Sequence, residues 1–254
     1  MALGRTLAAE ETVMFVMTWN MQGAQGYADR AGGKNKRKRL EGTNVSDAIN
    51  MIGPDLDVLC LQEAGSAPDG WGLQARIVNG YQLDVGLVTL GTRRRTRTAL
   101  VAWYDSTVNL NAGNDRCSMA IISTSHTNAA TLGVTFRPAT PLRPLLGLQT
   151  ASGVWIYSLH APSGNHNAAA GYMRSLINRI PNGRHWVCAG DYNCSPADMV
   201  NEGFGGRVVA TNDATHIGGN TLDFAIRSPL AIVTLDVNGG ALMSDHFSQK
   251  FRVA

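Results

Sequence analysis

The stretch Trp186-Val187-Cys188-Ala189-Gly190-Asp191-Tyr192-Asn193 decides the fold, because it joins an apolar run directly to a group of polar residues. A short apolar run bounded by glycine and polar residues is typical of a buried strand. We therefore predict a strand over His185–Ala189, with Asp191 and Asn193 just beyond its end. Polar side chains at the end of a buried strand lie on the rim of a sheet, where functional sites form readily.

The same arrangement recurs along the chain. Apolar runs with polar residues at or next to their ends are Met14–Trp19 with Asn20, Asp57–Leu61 with Gln62 and Glu63, Val154–Leu159 with His160, Leu222–Ile226 with Asp223, and Phe247–Val253 with Asp245 and His246. Because the ends of separate strands can meet on one rim of a sheet stack, we expect these side chains to converge there.

Other segments complete the secondary-structure prediction. Further strands are predicted at Ala99–Tyr104, Met119–Ser123, Thr131–Phe136, Leu145–Gln149, Val208–Thr211 and Ile232–Val237, and residues 64–98 are predicted to be irregular. Helical spacing of apolar residues predicts a short helix containing Val45, Ile49 and Ile52, and a longer one over Asn167–Ile180. Many strands with two or three helices favour a layered α/β sandwich or an α+β fold.

The bulk properties set the domain count. The chain has 254 residues, 44% of them hydrophobic, and this length accommodates one large core. We expect residues 14–254 to form a single domain and residues 1–13 to be a tail that is disordered or was introduced by cloning. The sequence contains no run of 18 apolar residues, so we predict no transmembrane helix. The first residues do not look like a signal peptide.

Charge and cysteine usage constrain the partners and the metal chemistry. The net charge of +3 is mild, but basic residues cluster at Lys34–Arg39 and at Arg93–Arg97. Such clusters favour polyanions, although each is also compatible with a solvated loop. None of the four cysteines shows CxxC spacing, so no zinc site is expected, and a disulfide stays open.

Five motifs occur in an order and spacing that resemble the endonuclease/exonuclease/phosphatase superfamily, whose best-known member is deoxyribonuclease I. The motifs are W-N-x-Q-G at Trp19–Gly23, Q-E at Gln62-Glu63, H-A-P at His160–Pro162, G-D-Y-N at Gly190–Asn193 and S-D-H at Ser244–His246. Each motif alone is weak, but together they extend over almost the whole chain. Further segments resemble the catalytic B subunit of cytolethal distending toxins, namely Gln62–Gly65, Arg137-Pro138, Arg143-Pro144 and Gly218–Asp223.

The resemblance implies a four-layered α/β/β/α sandwich and a Mg²⁺-dependent endonuclease that hydrolyses DNA phosphodiester bonds. Mn²⁺ and Ca²⁺ are alternative cations. The resemblance places Glu63, Asn20 and Asp245 at the metal, and carboxylate oxygens are the ligands that Mg²⁺ prefers. It further implies a genotoxin subunit that is secreted, works with delivery subunits, acts on double-stranded DNA in the host nucleus and does not insert into membranes.

The proton-transfer chemistry is assigned to histidines, whose reference pKa of about 6.5 suits both acid and base roles. The resemblance makes His246 the base beside the attacking water and His160 the acid, with Asp223 as the carboxylate that orients His160. Asp191 and Asn193 are expected to position the water and bind phosphoryl oxygens.

The resemblance implies an arginine that contacts the scissile phosphate, and a second arginine is a further candidate; a planar guanidinium suits bidentate binding of phosphate. They are Arg116 and Arg143. The remaining histidines, His126, His166, His185 and His216, match no motif and are interpreted as ordinary surface or core residues.

Two other functions are compatible with the same motifs. One is a phosphoinositide phosphatase, since the superfamily includes such enzymes and they share the core residues. The other is a catalytically silent binding module, which would have lost at least one core residue, whereas every core residue of the motifs is present here.

Overall fold

The computed structural model describes residues 13–21, 56–92, 95–110, 117–125, 132–135, 143–180, 183–238 and 244–254. The predicted tail up to residue 12, the basic run Lys34–Arg39, the helix predicted around Ile49, and Arg116 lie outside these residues. The strands of the described part are β1 (Met14–Asn20), β2 (Val58–Gln62), β3 (Gln74–Val78), β4 (Tyr81–Thr92), β5 (Arg95–Tyr104), β6 (Met119–Ser123), β7 (Leu132–Thr135), β8 (Leu145–Gln149), β9 (Trp155–His160), β10 (Trp186–Asp191), β11 (Val208–Val209), β12 (Asp223–Arg227), β13 (Val233–Asn238) and β14 (Gln249–Val253).

Among the described residues, the strands form two sheets. The first sheet has the order β13-β14-β1-β2-β6-β5-β4-β3, and the second has the order β11-β12-β10-β9-β8-β7. Two neighbouring pairs run parallel, β1 with β2 and β9 with β10, whereas the other neighbours run antiparallel. Each sheet therefore carries one parallel pair near its middle, and each such pair ends in motif residues.

The two sheets pack face to face through apolar side chains. Val16 and Cys60 of the first sheet share one buried cluster with Ile156, Val187 and Ala225 of the second. Removing such area from water contributes about 25 cal/mol per Å², so this cluster supplies much of the force that docks the sheets. The inner layers of the sandwich are thus held by alternate side chains of the strands.

The outer faces of both sheets are also apolar. The described helices are α1 (Ser106–Leu110), α2 (His166–Arg179) and α3 (Pro196–Met199), which continues as a π-helical turn over Val200–Phe204. Helix α2 buries Tyr172 and Leu176 against Leu159 and Cys188 of the second sheet. On the far side, Trp103 and its neighbours form a separate cluster with Trp71. These layers confirm the predicted α/β sandwich.

The prediction of an irregular segment over residues 64–98 is wrong for most of its length. Strands β3 and β4 form an antiparallel hairpin there, and β5 begins at Arg95. The side chains of β3 are exposed or only partly buried, because this strand lies at the edge of the sheet. An edge strand that buries neither face lacks the apolar alternation that reveals strands in a sequence.

All four cysteines are free thiols, so the disulfide left open by the sequence does not form. Burial raises the pKa of the Cys188 thiol to about 12, and Cys188 behaves as a small core residue. Among the described residues, none of the helices has the length and apolar content of a membrane span.

Candidate active site

Strand register brings residues of the sequence motifs to one rim of the sandwich. In the second sheet, Asp191 pairs with His160 on one side and with Asp223 on the other. In the first sheet, Asn20 pairs with Gln62 at the ends of the parallel strands. Residues paired directly across neighbouring strands project to the same face, so each sheet presents its motif side chains together.

Buried hydrogen bonds join the two sheets beneath this rim. The side-chain amide of Gln62 donates to Ser158 Oγ at 2.8 Å, while its oxygen accepts from Thr18 Oγ1 at 3.1 Å. Closer to the rim, Asn20 Nδ2 donates to Asp191 Oδ2 at 2.9 Å. These bonds fix the register of one sheet against the other, because an apolar interface alone has no directional preference.

Two motif residues adopt the left-handed backbone conformation directly after their strands. Glu63 has φ 49° and Asn193 has φ 51°. Asparagine tolerates this region, but a glutamate there is uncommon and is strained. The turn at Glu63 buries its carboxylate at the rim with 3% exposure, 3.6 Å from Nε2 of His160.

Asp223 and His246 form a buried pair. Oδ2 of Asp223 lies 2.8 Å from Nδ1 of His246 and also accepts from Thr215 Oγ1 at 2.9 Å. The prediction that Asp223 orients His160 is therefore wrong. The pairing depends on where the loop before β14 runs. That loop places His246 beside Asp223, the first residue of β12.

Asp191 occupies the centre of the site. Its Oδ2 atom lies 3.7 Å from Nε2 of His160 and 3.9 Å from Nε2 of His246. The backbone N–H of Asn193 donates to Oδ1 at 2.8 Å, and the Asn193 amide donates to Oδ2 at 3.1 Å. Both histidines therefore present the same ring nitrogen to one carboxylate.

This crowding of carboxylates changes the protonation of the site. Burial raises the pKa of Asp191 to about 7, and the nearby charge of Asp223 adds to the rise. Burial also raises the pKa of Asp223, although its hydrogen bond from His246 opposes this. Burial lowers the pKa of His246, but the bond to Asp223 and the charges of Asp223, Asp191 and Asp245 outweigh it and raise the value to about 9.

His216 belongs to the site, although the sequence interpretation gave it no role. Its Nε2 atom lies 3.4 Å from Asp245 Oδ2, and its ring packs edge-on against His246 with centroids 4.8 Å apart. The signal was its position two residues before Gly218, the first residue of a segment that resembles the toxin. His166 and His185 lie outside the cleft and are exposed, as expected, and His126 is not among the described residues.

The site side chains line a cleft of about 230 Å³. The lining residues are Asn20, Glu63, Arg143, His160, Ser163, Asp191, Asn193, His216, Leu222, Asp245 and His246. Arg143 uses one guanidinium nitrogen on the backbone carbonyl of Ala161, at 2.6 Å, and this holds it at the cleft wall. The predicted site residues therefore converge, except that Asp223 lies behind His246 and Arg116 is outside the described residues.

The donor set of the cleft fits a hard divalent cation. Glu63, Asp191 and Asp245 bring three carboxylates to one cleft, together with Asn20. Two groups of ligand atoms lie within 4.8 Å of one another, namely His216-Asp245-His246 and Asp191-Asp223-His246. In the second group, His246 and Asp223 already bind each other. The carboxylates that line the cleft are therefore the better place for a cation.

The comparisons with known proteins agree with this geometry. A model of the endonuclease/exonuclease/phosphatase family matches residues 17–246. The chain belongs to that family. Among curated proteins, a homolog of the cytolethal distending toxin B subunit from Salmonella typhi is 30% identical over 93% of this chain and 88% of its own length. The cytolethal distending toxin B subunit of Escherichia coli is 25% identical over 94% of this chain and 91% of its own length.

A solved structure of the family has the same fold. Cytolethal distending toxin from Actinobacillus actinomycetemcomitans aligns with a TM-score of 0.72 and 22% identity, over 93% of this chain and 97% of that chain. The predicted deoxyribonuclease I-like sandwich and the resemblance to the toxin's B subunit are both confirmed. Family membership supports a hydrolytic enzyme that acts on phosphodiester bonds.

Proposed function

We propose that the chain is a Mg²⁺-dependent endonuclease that hydrolyses DNA phosphodiester bonds as the active subunit of a toxin. The observation that carries the proposal is the approach of two imidazoles to Asp191. Nε2 of His160 and Nε2 of His246 lie 3.7 Å and 3.9 Å from the same carboxylate oxygen. In-line displacement at phosphorus needs one proton acceptor and one proton donor on the two sides of the phosphate, and this pair supplies both.

His246 is the proposed base. Asp223 accepts from Nδ1 of His246, so the proton of the neutral ring is held on Nδ1 and the lone pair of Nε2 faces the cleft. Nε2 is thus the atom that takes the proton from the attacking water. Asp223 orients the ring and stabilises the imidazolium that forms, as the carboxylate of a catalytic triad does.

His160 is the proposed acid, because its Nε2 atom faces the cleft between Glu63 and Asp191. It would give its proton to the leaving oxygen of the sugar. Asp191 is held by Asn20 and Asn193 and is proposed to position the attacking water. Arg143 and the donors around the cleft are proposed to bind the phosphoryl oxygens.

Glu63, Asn20 and Asp245 are the proposed cation ligands. A bound divalent cation would neutralise the phosphate charge that develops during the reaction and would lower the raised pKa of His246 towards neutrality. Mg²⁺ suits this wall of hard oxygen donors, and it keeps several of its own waters when it binds few carboxylates. Mn²⁺ is the expected functional substitute.

The role as a toxin subunit is supported by the relatives, whose names describe them as B subunits of cytolethal distending toxins or a homolog of one. We propose secretion, assembly with delivery subunits and action on DNA in the host nucleus. The basic runs in the sequence support a polyanionic substrate, because Lys and Arg side chains release counterions when they bind phosphates.

A plasmid-nicking assay tests the proposed function. Wild-type protein with Mg²⁺ is expected to convert supercoiled plasmid to the open-circle form, and His160→Ala and His246→Ala are expected to lose about 10²–10⁴-fold in rate. His185→Ala is the matched control, since His185 is exposed and lies outside the cleft. Wild-type nicking no faster than that of His160→Ala, together with phosphate release from a phosphoinositide, would replace the nuclease by a lipid phosphatase.

A further inference from the structure

His216 stands out among the cleft residues because its ring is fixed by its own loop. The backbone N–H of Gly218 donates to Nδ1 of His216 at 2.9 Å. A neutral imidazole has one lone-pair nitrogen and one N–H, so a ring that accepts at Nδ1 carries its proton on Nε2. The loop therefore sets the tautomer of His216 and makes its other nitrogen a hydrogen-bond donor.

The donor atom of His216 lies at the cleft. Its Nε2 atom is 3.4 Å from Asp245 Oδ2, whereas a charge-assisted N–H···O bond is about 2.7–2.9 Å long. The contact with Asp245 is thus long, and the N–H retains most of its donor capacity. The side chain of His216 is 25% exposed and lines the cleft, so a group bound there can reach it.

The position of the ring depends on a glycine. A Cβ atom placed on Gly218 would lie 2.8 Å from Nδ1 and 3.1 Å from Cε1 of His216. Contacts below 3.0 Å force one partner to shift, so any side chain at this position would displace the imidazole. Gly218 thus holds the His216 ring in two ways: its N–H donates to Nδ1, and its lack of a side chain leaves space for the imidazole.

Proton placement also excludes His216 as a ready cation ligand. The cluster His216-Asp245-His246 has ligand atoms within 4.8 Å of one another, which suggests a metal site. A histidine binds a metal through a lone pair, however, and the Nε2 atom of His216 carries a proton. Coordination there would require loss of the Gly218 bond or formation of an imidazolate, and neither is favoured.

The cleft needs donors for an anionic substrate. Glu63, Asp191 and Asp245 bring negative charge to it, and both amide protons of Asn193 are used inside the protein, on Ala161 and on Asp191. A phosphodiester entering the cleft meets the Nε2–H of His216 beside Asp245. From this geometry we infer that His216 is a substrate-contacting residue, whose neutral Nε2–H donates a hydrogen bond to a non-bridging oxygen of the scissile phosphate.

This inference rests on the proposed function, and isosteric variants test it separately. Glutamine places an N–H donor where Nε2 lies, and asparagine places an acceptor where Nδ1 lies. His216→Gln is therefore expected to keep kcat/KM on DNA within about 3-fold of wild type. His216→Asn and His216→Ala are each expected to lose about 10- to 100-fold, as for loss of a hydrogen bond to a charged group. Gly218→Ala is expected to resemble His216→Ala although it retains the ring.

The same assays separate the inference from its rivals. If His216→Asn is more active than His216→Gln, the residue serves its loop and the inference is overturned. A higher Mg²⁺ requirement with an unchanged rate at saturation would show that His216 positions Asp245, which also overturns it. A second readout is free of turnover: long-range ¹⁵N–¹H spectra of the imidazoles are expected to show His216 as the Nε2–H tautomer, and the other tautomer refutes the donor assignment.

Wild-type behaviour distinguishes the two levels of failure. If the wild type and the His185→Ala control are active and all three His216 variants match them, only the role of His216 is overturned. A wild type that cleaves neither DNA nor bis-p-nitrophenyl phosphate with Mg²⁺ overturns the proposed function and the inference together. A third outcome is that the protein cleaves only the small diester while His216→Gln stays more active than His216→Asn. That result supports His216 as a hydrogen-bond donor to the phosphate and rejects DNA as the substrate.

Discussion

Asp223 holds Nδ1 of His246 at 2.8 Å in a fully buried position, and it does not hold His160. This places the carboxylate–imidazole pair on the base side of the proposed reaction. We predict that Asp223→Asn lowers the rate of DNA cleavage by about 10²–10⁴-fold, because the amide lacks the charge that stabilises the imidazolium and its N–H can bind the ring in the wrong tautomer. Steady-state plasmid nicking measures the loss.

A double-mutant comparison checks the partner of Asp223. Asp223→Asn added to His246→Ala is expected to cost little more than His246→Ala alone, because residues that act as a unit are not additive. Added to His160→Ala, the same change is expected to cost nearly its full factor. The opposite pattern of additivity would show that Asp223 acts through His160 and not through His246.

The second prediction concerns Glu63. We expect Glu63→Gln to raise the Mg²⁺ concentration for half-maximal cleavage by at least about tenfold, since the loss of one carboxylate charge weakens binding of a hard cation. The measurement is a Mg²⁺ titration at fixed DNA. Glu202→Gln is the matched control, because Glu202 pairs with Arg174 outside the cleft. An unchanged Mg²⁺ requirement for Glu63→Gln removes Glu63 from the cation site.

The third prediction is the pH dependence of stability without divalent cations. The pKa of His246 is raised from 6.5 to about 9, so its contribution is complete below about pH 6.5 and is lost as the pH rises through 9. The raised pKa of Asp191 acts in the same direction, because ionisation costs more in the folded protein as the pH rises from about 4 to 7. The melting temperature in EDTA is thus expected to fall by about 5 °C or more between about pH 6 and pH 9.

Mg²⁺ is expected to reverse part of this loss. A cation bound to the carboxylates replaces the charge of the departing protons, so the rise in melting temperature on adding Mg²⁺ grows with pH. Differential scanning calorimetry at several pH values measures this coupling. A Mg²⁺-induced shift that is the same at low and high pH would show that the cation binds away from His246 and Asp191.

The fourth prediction concerns the hydrogen bonds of Gln62. Gln62→Leu leaves Ser158 and Thr18 without their buried partner, and we expect a loss of about 1–3 kcal/mol in the free energy of unfolding. Urea unfolding measures the change, with Gln74→Leu on the exposed strand β3 as the control. The triple variant Thr18→Val, Gln62→Leu, Ser158→Ala is expected to recover part of the lost stability. In it, none of the three side chains keeps a buried polar group that lacks a hydrogen-bond partner. A triple variant less stable than Gln62→Leu would contradict this explanation.

The sequence predicted most of the strands that bury at least one face, but it missed β4, which buries Leu83, Val85, Val88 and Leu90. Met119–Ser123 and Leu145–Gln149 match the observed bounds, and the helix predicted at Asn167–Ile180 lies at His166–Arg179. The apolar content of these segments reflects core packing, so their pattern is visible in a sequence. Strand β3 was missed because it is an edge strand with exposed side chains.

The membership of the site was predictable, but its pairing was not. Motif residues at strand ends converge because strand ends meet, and eight predicted residues line one cleft. Which carboxylate meets which imidazole depends on the path of loops, as the pairing of Asp223 with His246 shows. His216 was missed for the same reason, since its role depends on a hydrogen bond from Gly218 that leaves no periodic signal. The chemical roles of all these residues stay predictions.

The first and last of the described strands are neighbours in the first sheet. β14 pairs with β1 in the middle of the first sheet, and Ser244 Oγ donates to the backbone carbonyl of Asn20 at 2.6 Å. A ribosome-bound chain that has not released residues 244–254 thus lacks both the strand that flanks β1 and the imidazole of His246. The proposed DNA cleavage therefore requires residues 244–254 to have been made and released, so a nascent chain that lacks them is expected to cut no DNA.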